Sequence, residues 1–95
     1  VLLPFNPFTS GASGSAVITV TEPGNGRSTG DTVCFREVES FDGFTASAIE
    51  NSSGFPITTV DSDRYTFTSG SGTASIGNTQ GGGGYASAGP VTVSA

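Results

Sequence analysis

The sequence predicts an all-β protein: a small single-domain β-barrel or sandwich of about six strands with an extended N-terminal arm. Short runs rich in valine, isoleucine, threonine and aromatic residues alternate apolar and polar positions, as half-buried strands do. Between these runs lie most of the 15 glycines and 5 prolines, which favour turns. No stretch sustains the apolar period of an amphipathic helix.

The first 15 residues are predicted to form an arm and a hinge. Residues 1–8 are apolar but contain Pro4 and Pro7, which keep a chain extended rather than helical. Residues 9–15 are rich in glycine, serine and alanine, a composition typical of flexible linkers. Residues 16–95 are predicted to form the barrel or sandwich domain.

Within that domain the strands are expected at residues 16–21, 32–38, 57–60, 65–68, 73–76 and 90–94. Residues 45–50 fit either a strand or one helical turn. The turn at residues 61–64 joins two strands as a hairpin, and the glycines at 81–84 form a loop. The core is expected to comprise Val17 or Ile18, Val20, Val33, Phe35, Ile57, Val60, Tyr65 and Phe67.

Two segments carry a resemblance to a known family. Residues 25–31 read Asn-Gly-Arg-Ser-Thr-Gly-Asp, and residues 53–67 read Ser-Gly-Phe-Pro-Ile-Thr-Thr-Val-Asp-Ser-Asp-Arg-Tyr-Thr-Phe. This pattern resembles a small β module that recurs in tailed-bacteriophage structural proteins and is similar to the small barrel of ubiquitin-activating enzymes. Asn25 stands where the module usually has histidine. The resemblance covers about half of the chain and implies a scaffold, so it does not by itself establish a function.

The charge of the chain argues against binding to nucleic acid or to anionic membranes. The chain has 8 acidic residues against 3 arginines, and it has no lysine or histidine. Phosphate binding needs clustered cations, whereas these arginines are scattered, and a net charge of −5 repels DNA and anionic lipid. The first residues lack the basic and long apolar regions of a signal peptide. An intact product that assembles in a host cytoplasm is therefore expected.

Three groups of residues are candidates for a chemical site. Cys34 lies in a predicted strand without a nearby base, so it is expected to be a small buried hydrophobe rather than a nucleophile. Glu37 and Glu39 would share a strand face, but so small a domain hardly builds a catalytic cleft. Asp61 and Asp63 fit a turn better than a calcium loop. We expect no enzyme activity, no metal and no cofactor.

The function expected from this combination is that of a structural protein of a bacteriophage virion. A capsid decoration or cement protein that stabilises the head is favoured because the chain is short. The alternative is a tail or connector module that binds a tail protein or a host-surface glycan, for which Phe44, Tyr65 and Tyr85 are the candidate aromatics.

The predicted partner-binding residues are Leu2, Leu3, Phe5 and Phe8 of the arm. The expected partners are the major capsid protein and further copies of this chain, as a trimer or another homo-oligomer. The sequence leaves open whether the arm docks on a partner or folds back over its own domain.

Overall fold

The structure, a computed structural model, describes residues 1–89. This part of the chain contains nine short strands and a helix of one turn, α1 (Ala46–Ile49). The strands are β1 (Phe8–Ser10), β2 (Val17–Thr21), β3 (Thr32–Val33), β4 (Phe35–Arg36), β5 (Phe55–Pro56), β6 (Thr58–Asp61), β7 (Arg64–Thr68), β8 (Gln80–Gly81) and β9 (Ser87–Ala88). The all-β class is confirmed. The sheets formed by residues 1–89 do not close into a barrel.

The largest sheet has five antiparallel strands in the order β6-β7-β2-β1-β8. Its longest pair is β2 with β7, where alternating β-branched and aromatic residues place Ile18 opposite Phe67. β1 lies beside β2 with Phe8 opposite Val20, and β8 then places Gly81 on the other side of Phe8. A strand from the start of the chain is thus an inner strand of the sheet.

The two faces of this sheet differ in chemistry. Its inner face supplies five of the core side chains, which are Phe8, Ile18, Val20, Tyr65 and Phe67. Its outer face carries a row of side chains in direct register across all five strands: Thr58, Thr66, Thr19, Thr9 and Gln80. Threonine combines a high strand propensity with a hydroxyl group, so it suits a sheet face that meets water.

Two smaller sheets, β3 with β5 and β4 with β9, cover the inner face. They contribute Phe35 and Phe55, whose ring centroids lie 4.9 Å and 4.7 Å from that of Phe67. The Phe35 and Phe8 rings pack in a T-shaped arrangement, with their centroids 5.2 Å apart. The core is therefore a layer of packed aromatic rings between the sheets.

The predicted hairpin is confirmed as β6 and β7. The core prediction is right for Ile18 and wrong for Val60, which is 53% exposed. The pairing shifts register between Thr59 and Asp61, so Val60 is the extra residue of a β-bulge and points to solvent.

Other local predictions differ from the structure. The single strand expected at 32–38 is two strands, because β3 and β4 pair with different partners on either side of Cys34. Residues 45–50 contain α1, which Thr45 caps by accepting a hydrogen bond at Oγ1 from the Ala48 N–H at 3.3 Å. Residues 73–76 are not a strand, and the strand expected at 90–94 lies outside the described residues.

Residues 1–15 differ from the expected separate arm and hinge. Phe8–Ser10 is an inner strand, and the following segment is also paired, with the Gly11 N–H donating to the Val17 carbonyl oxygen at 3.2 Å. The partners of β1 lie at residues 18–20 and 80–81, so a local pattern could not reveal this strand. The glycines at 81–84 are a packed turn next to β1, in which Gly82 has a φ of 107°.

Candidate interaction surface

The start of the chain runs antiparallel to residues 83–88, on the side of β9 that faces away from β4, and we call these two segments the N-terminal ribbon. The Leu3 N–H donates to the Ala86 carbonyl oxygen and the Ala88 N–H donates to the Val1 carbonyl oxygen, both at 2.8 Å. The Asn6 N–H donates to the Gly83 carbonyl oxygen at 2.9 Å. Pro4 favours the extended backbone that this pairing requires. The ribbon therefore belongs to the folded domain.

A turn at Asn6 ends the ribbon and directs Phe5 outward. Asn6 has a φ of 47°, a conformation that asparagine tolerates better than most residues. Its side-chain Oδ1 accepts a hydrogen bond from the Gly83 N–H at 3.0 Å, which fixes the turn against the glycine segment. The Phe5 ring lies beside Gly84, where an added Cβ would be 3.6 Å from the ring. Phe5 is thus held at the surface beside Gly84, the residue before Tyr85.

The side chains of the ribbon form two sets, by strand alternation for Leu2, Leu3, Tyr85 and Ala86 and by the turn at Asn6 for Phe5. Leu3 and Ala86 point inward and are buried, at 3% and 0% exposure. Leu2, Phe5 and Tyr85 point outward, at 69%, 75% and 76% exposure. We call these three side chains the N-terminal apolar face. Large side chains that are exposed together in this way mark interaction sites more often than isolated ones do.

The structure divides the four residues predicted to bind a partner. Leu2 and Phe5 are on the N-terminal apolar face, whereas Leu3 and Phe8 are buried in the protein's own core. Phe8 has no exposed surface because β2 and β8 flank its strand and the Phe35 and Phe41 rings pack against it. The arm therefore folds back over its own domain in this structure.

Tyr85 joins this face only because residues 83–88 pair with residues 1–6. The sequence indicates Tyr85, Tyr65 and Phe44 as candidate glycan-binding aromatics. Those two side chains are buried, at 0% and 1% exposure, so they are not on the surface as such a role requires. Of the three nominated aromatics, Tyr85 alone is exposed.

Of the two acidic pairs considered in the sequence, Asp61 and Asp63 support the main chain around a turn, and Glu37 and Glu39 do not lie on one strand. Asp61 accepts the Asp63 N–H at 2.9 Å and the Arg64 guanidinium at 2.8 Å, as expected for a turn. This contact with Arg64 lowers the pKa of the Asp61 carboxyl. Glu37 has a φ of 58° and follows the end of β4, so it does not share a straight strand with Glu39. Residues 1–89 hold no group of three metal-ligating side chains.

A buried polar cluster that the sequence did not predict ties the turn at residues 22–31 to β7. The Arg27 Nε donates to both carboxylate oxygens of Glu22, at 3.1 and 3.2 Å, and both side chains are buried. The Tyr65 hydroxyl donates to Glu22 Oε1 at 2.7 Å, and burial together with this carboxylate raises the pKa of Tyr65. The Arg27 guanidinium also lies over the Tyr65 ring, at 5.7 Å from its centroid.

The one helix in residues 1–89 is α1, whose four residues are too few to span a lipid bilayer. Cys34 is half-buried, and its Sγ lies 3.6 Å from the Ser52 carbonyl oxygen.

Comparison of the chain with protein-family models, with curated proteins and with solved structures finds no match.

Proposed function

We propose that this chain is a non-enzymatic structural protein of a tailed-bacteriophage virion, and that it decorates the head by binding the major capsid protein. The resemblance of residues 25–31 and 53–67 to a phage β module supports this assignment. The observation that carries it is the N-terminal apolar face, because a folded domain that displays Leu2, Phe5 and Tyr85 together is suited to protein contact.

The composition of this face supports a protein partner. Aromatic side chains are the commonest energetic anchors of protein interfaces, and Phe5 and Tyr85 are the two exposed aromatic residues of the described chain. Residues 1–9 contain no charged side chain. Docking of this face therefore requires little desolvation of charge.

The arrangement of the arginines supports a protein partner over a nucleic acid. Arg27 is buried against Glu22, and Arg64 is paired with Asp61 at 2.8 Å. Within residues 1–89, Arg36 is therefore the one arginine without an ion pair. The chain as a whole has a net charge of −5. A phosphate backbone is bound by several unpaired cations that lie together.

The chemistry of the acidic residues supports a non-catalytic role. Catalysis by a pair of carboxylates requires groups that are free to take and give protons. Here Asp42, Asp61 and Glu50 accept hydrogen bonds from nearby main-chain N–H groups. We propose that these carboxylates stabilise turns, and that the protein acts by binding the capsid and further copies of itself.

Stabilisation of the head then follows from mass action. A protein that binds the assembled lattice and not its separated subunits favours the assembled state by its binding free energy. Copy number tests this role: quantitative mass spectrometry of purified virions should find hundreds of copies per particle. Heads that lack the protein should release DNA at a lower temperature.

A matched pair of variants tests the proposed surface. Phe5→Ala combined with Tyr85→Ala should abolish binding to heads. Ile76→Ala removes a side chain that is equally exposed, at 79%, but outside the N-terminal apolar face, and it should bind as the unmodified protein does. Absence of the protein from virions would refute the proposal. A few copies per particle, with unchanged DNA release and impaired adsorption to host cells, would instead favour the tail or connector function.

A further inference from the structure

The turn at residues 22–31 contains an asparagine followed by glycine, Asn25 and Gly26. Asparagine loses its side-chain amide most readily in this dipeptide, because glycine has no side chain to keep its nitrogen away from the carboxamide. Asn25 is the only one of the chain's four asparagines that glycine follows. Gly26 is exposed with a φ of 66°, and within the described residues its N–H has no hydrogen-bond partner. The attacking nitrogen of a deamidation is therefore accessible to water here.

The carboxamide of Asn25 has a partner for each of its polar groups. Its Nδ2 donates to the carbonyl oxygens of Glu22 and Ser62, at 3.1 and 3.0 Å. Its Oδ1 accepts a hydrogen bond from the Arg27 N–H at 2.8 Å. An amide nitrogen carries two protons, so both are used. The Asn25 main-chain N–H also donates to the Ser62 carbonyl oxygen, at 3.0 Å. Asn25 thus ties its own turn to the turn between β6 and β7.

Deamidation at this position would have to break these hydrogen bonds. The Gly26 nitrogen gives its proton to water and bonds to Cγ of Asn25. The bond from Cγ to Nδ2 then breaks, and Nδ2 leaves as ammonia with a proton from water. The resulting cyclic imide adds water and opens to aspartate or isoaspartate, with nothing oxidised or reduced. Since Cγ must first move to bonding distance of the Gly26 nitrogen, the carboxamide must leave its three partners.

We infer that Asn25 is a deamidation site that the folded turn protects, and that the modified chain cannot rebuild this turn. An aspartate still offers an oxygen to the Arg27 N–H. In place of the two donated protons, however, its second oxygen faces the carbonyl oxygens of Glu22 and Ser62. Isoaspartate also adds a carbon atom to the main chain. Deamidation therefore removes opened molecules from the folding equilibrium irreversibly. The inference does not depend on the proposed function.

The charges around Asn25 add to the effect of the new carboxylate. The Asp63 carboxylate accepts the Gly24 N–H at 3.0 Å, so it lies on the same turn. The nearby Arg27 guanidinium is already paired with the buried Glu22 carboxylate. A further negative charge here would thus meet a like charge and a cation that is already neutralised.

Deamidation rates in the folded and the unfolded chain test the protection. Trypsin releases residues 1–27 as one peptide, because Arg27 is the first basic residue. The other asparagine of this peptide, Asn6, precedes Pro7, whose nitrogen has no proton to lose, so the mass gain of the peptide reports Asn25. We expect this gain to be roughly hundredfold slower in buffer than in urea at the same pH, the combined value of three hydrogen bonds. Equal rates, or a faster reaction in buffer, overturn the inference.

Asn25→Asp tests the consequence, with Asn51→Asp as its matched control. The Asn51 Oδ1 accepts the Ser53 N–H at 2.9 Å in a similar turn, but within the described residues its Nδ2 donates to no acceptor. In urea unfolding, Asn25→Asp should lower the folding equilibrium constant roughly tenfold or more, and Asn51→Asp should keep it within about threefold. Failure of Asn25→Asp alone to fold is a larger loss of the same sign. Equal stability of the two variants overturns the claim that the modified chain cannot rebuild the turn.

Discussion

Replacing Phe8 by alanine should destabilise the protein by about 4–5 kcal/mol. Replacing a buried phenylalanine by alanine lowers the free energy of unfolding by about 3–5 kcal/mol. The loss is larger where the neighbouring residues cannot move into the cavity. Phe8 has no exposed surface, and its ring contacts the rings of Phe35, Phe41 and Phe67 at centroid distances of 5.2, 6.1 and 6.3 Å. Pairing of β1 on both sides prevents collapse, so the upper part of the range applies.

Urea unfolding followed by far-ultraviolet circular dichroism measures this effect. A domain of 95 residues has a total stability of roughly 5–14 kcal/mol, so at the lower end of this range Phe8→Ala leaves little or none of it. If that variant does not fold, Phe8→Leu provides a milder change of about 1–2 kcal/mol. Phe5→Ala is the matched control, because its ring is 75% exposed and its loss should change stability by less than about 0.5 kcal/mol. Equal stability of Phe8→Ala and Phe5→Ala would refute the placement of Phe8 in the core.

Two further predictions concern single residues in loops. Glu37 is exposed with a φ of 58°, so Glu37→Gly should relieve backbone strain and stabilise the protein by about 1 kcal/mol in the same urea assay. The Ser10 hydroxyl and the Ile76 N–H donate to the Asp42 carboxylate and hold its pKa below 3.8. The stability that the Asp42 carboxylate contributes is therefore complete above about pH 4, and it is lost as the pH falls through the pKa that Asp42 has in the folded protein. Asp42→Asn should therefore lower stability at pH 7 but lose less further stability between pH 5 and pH 3, as measured by thermal unfolding; an unchanged acid dependence would contradict this role.

The sequence predicted best the elements whose pattern is local. Ile18 and Val20 alternate with threonines in β2, and Tyr65 and Phe67 do so in β7, so their burial follows from the period of a strand. The turn between β6 and β7 could also be located from its aspartates. The exposure of Val60 could not, because a bulge changes which residues share a face without leaving a signal in composition.

The elements that the sequence missed depend on distant partners. Phe8–Ser10 has three residues and follows a proline, so its pairing with residues 18–20 and 80–81 had no local signature. The same holds for the candidate surface: Leu2 and Phe5 could be nominated from their apolar character, but the position of Tyr85 beside them depends on the ribbon. The burial of Leu3 follows from alternation once that ribbon is known.

The strand order β6-β7-β2-β1-β8 also determines when each part of the chain becomes protected during synthesis. The hairpin of β6 and β7 closes over a few residues and forms early, whereas β1 acquires its second neighbour only when residues 80–81 have emerged. Until then Leu3 and Phe8 lack the cover that residues 80–88 supply. Residues 3–8 are therefore synthesised well before the residues that shield them, and aggregation during synthesis would begin there.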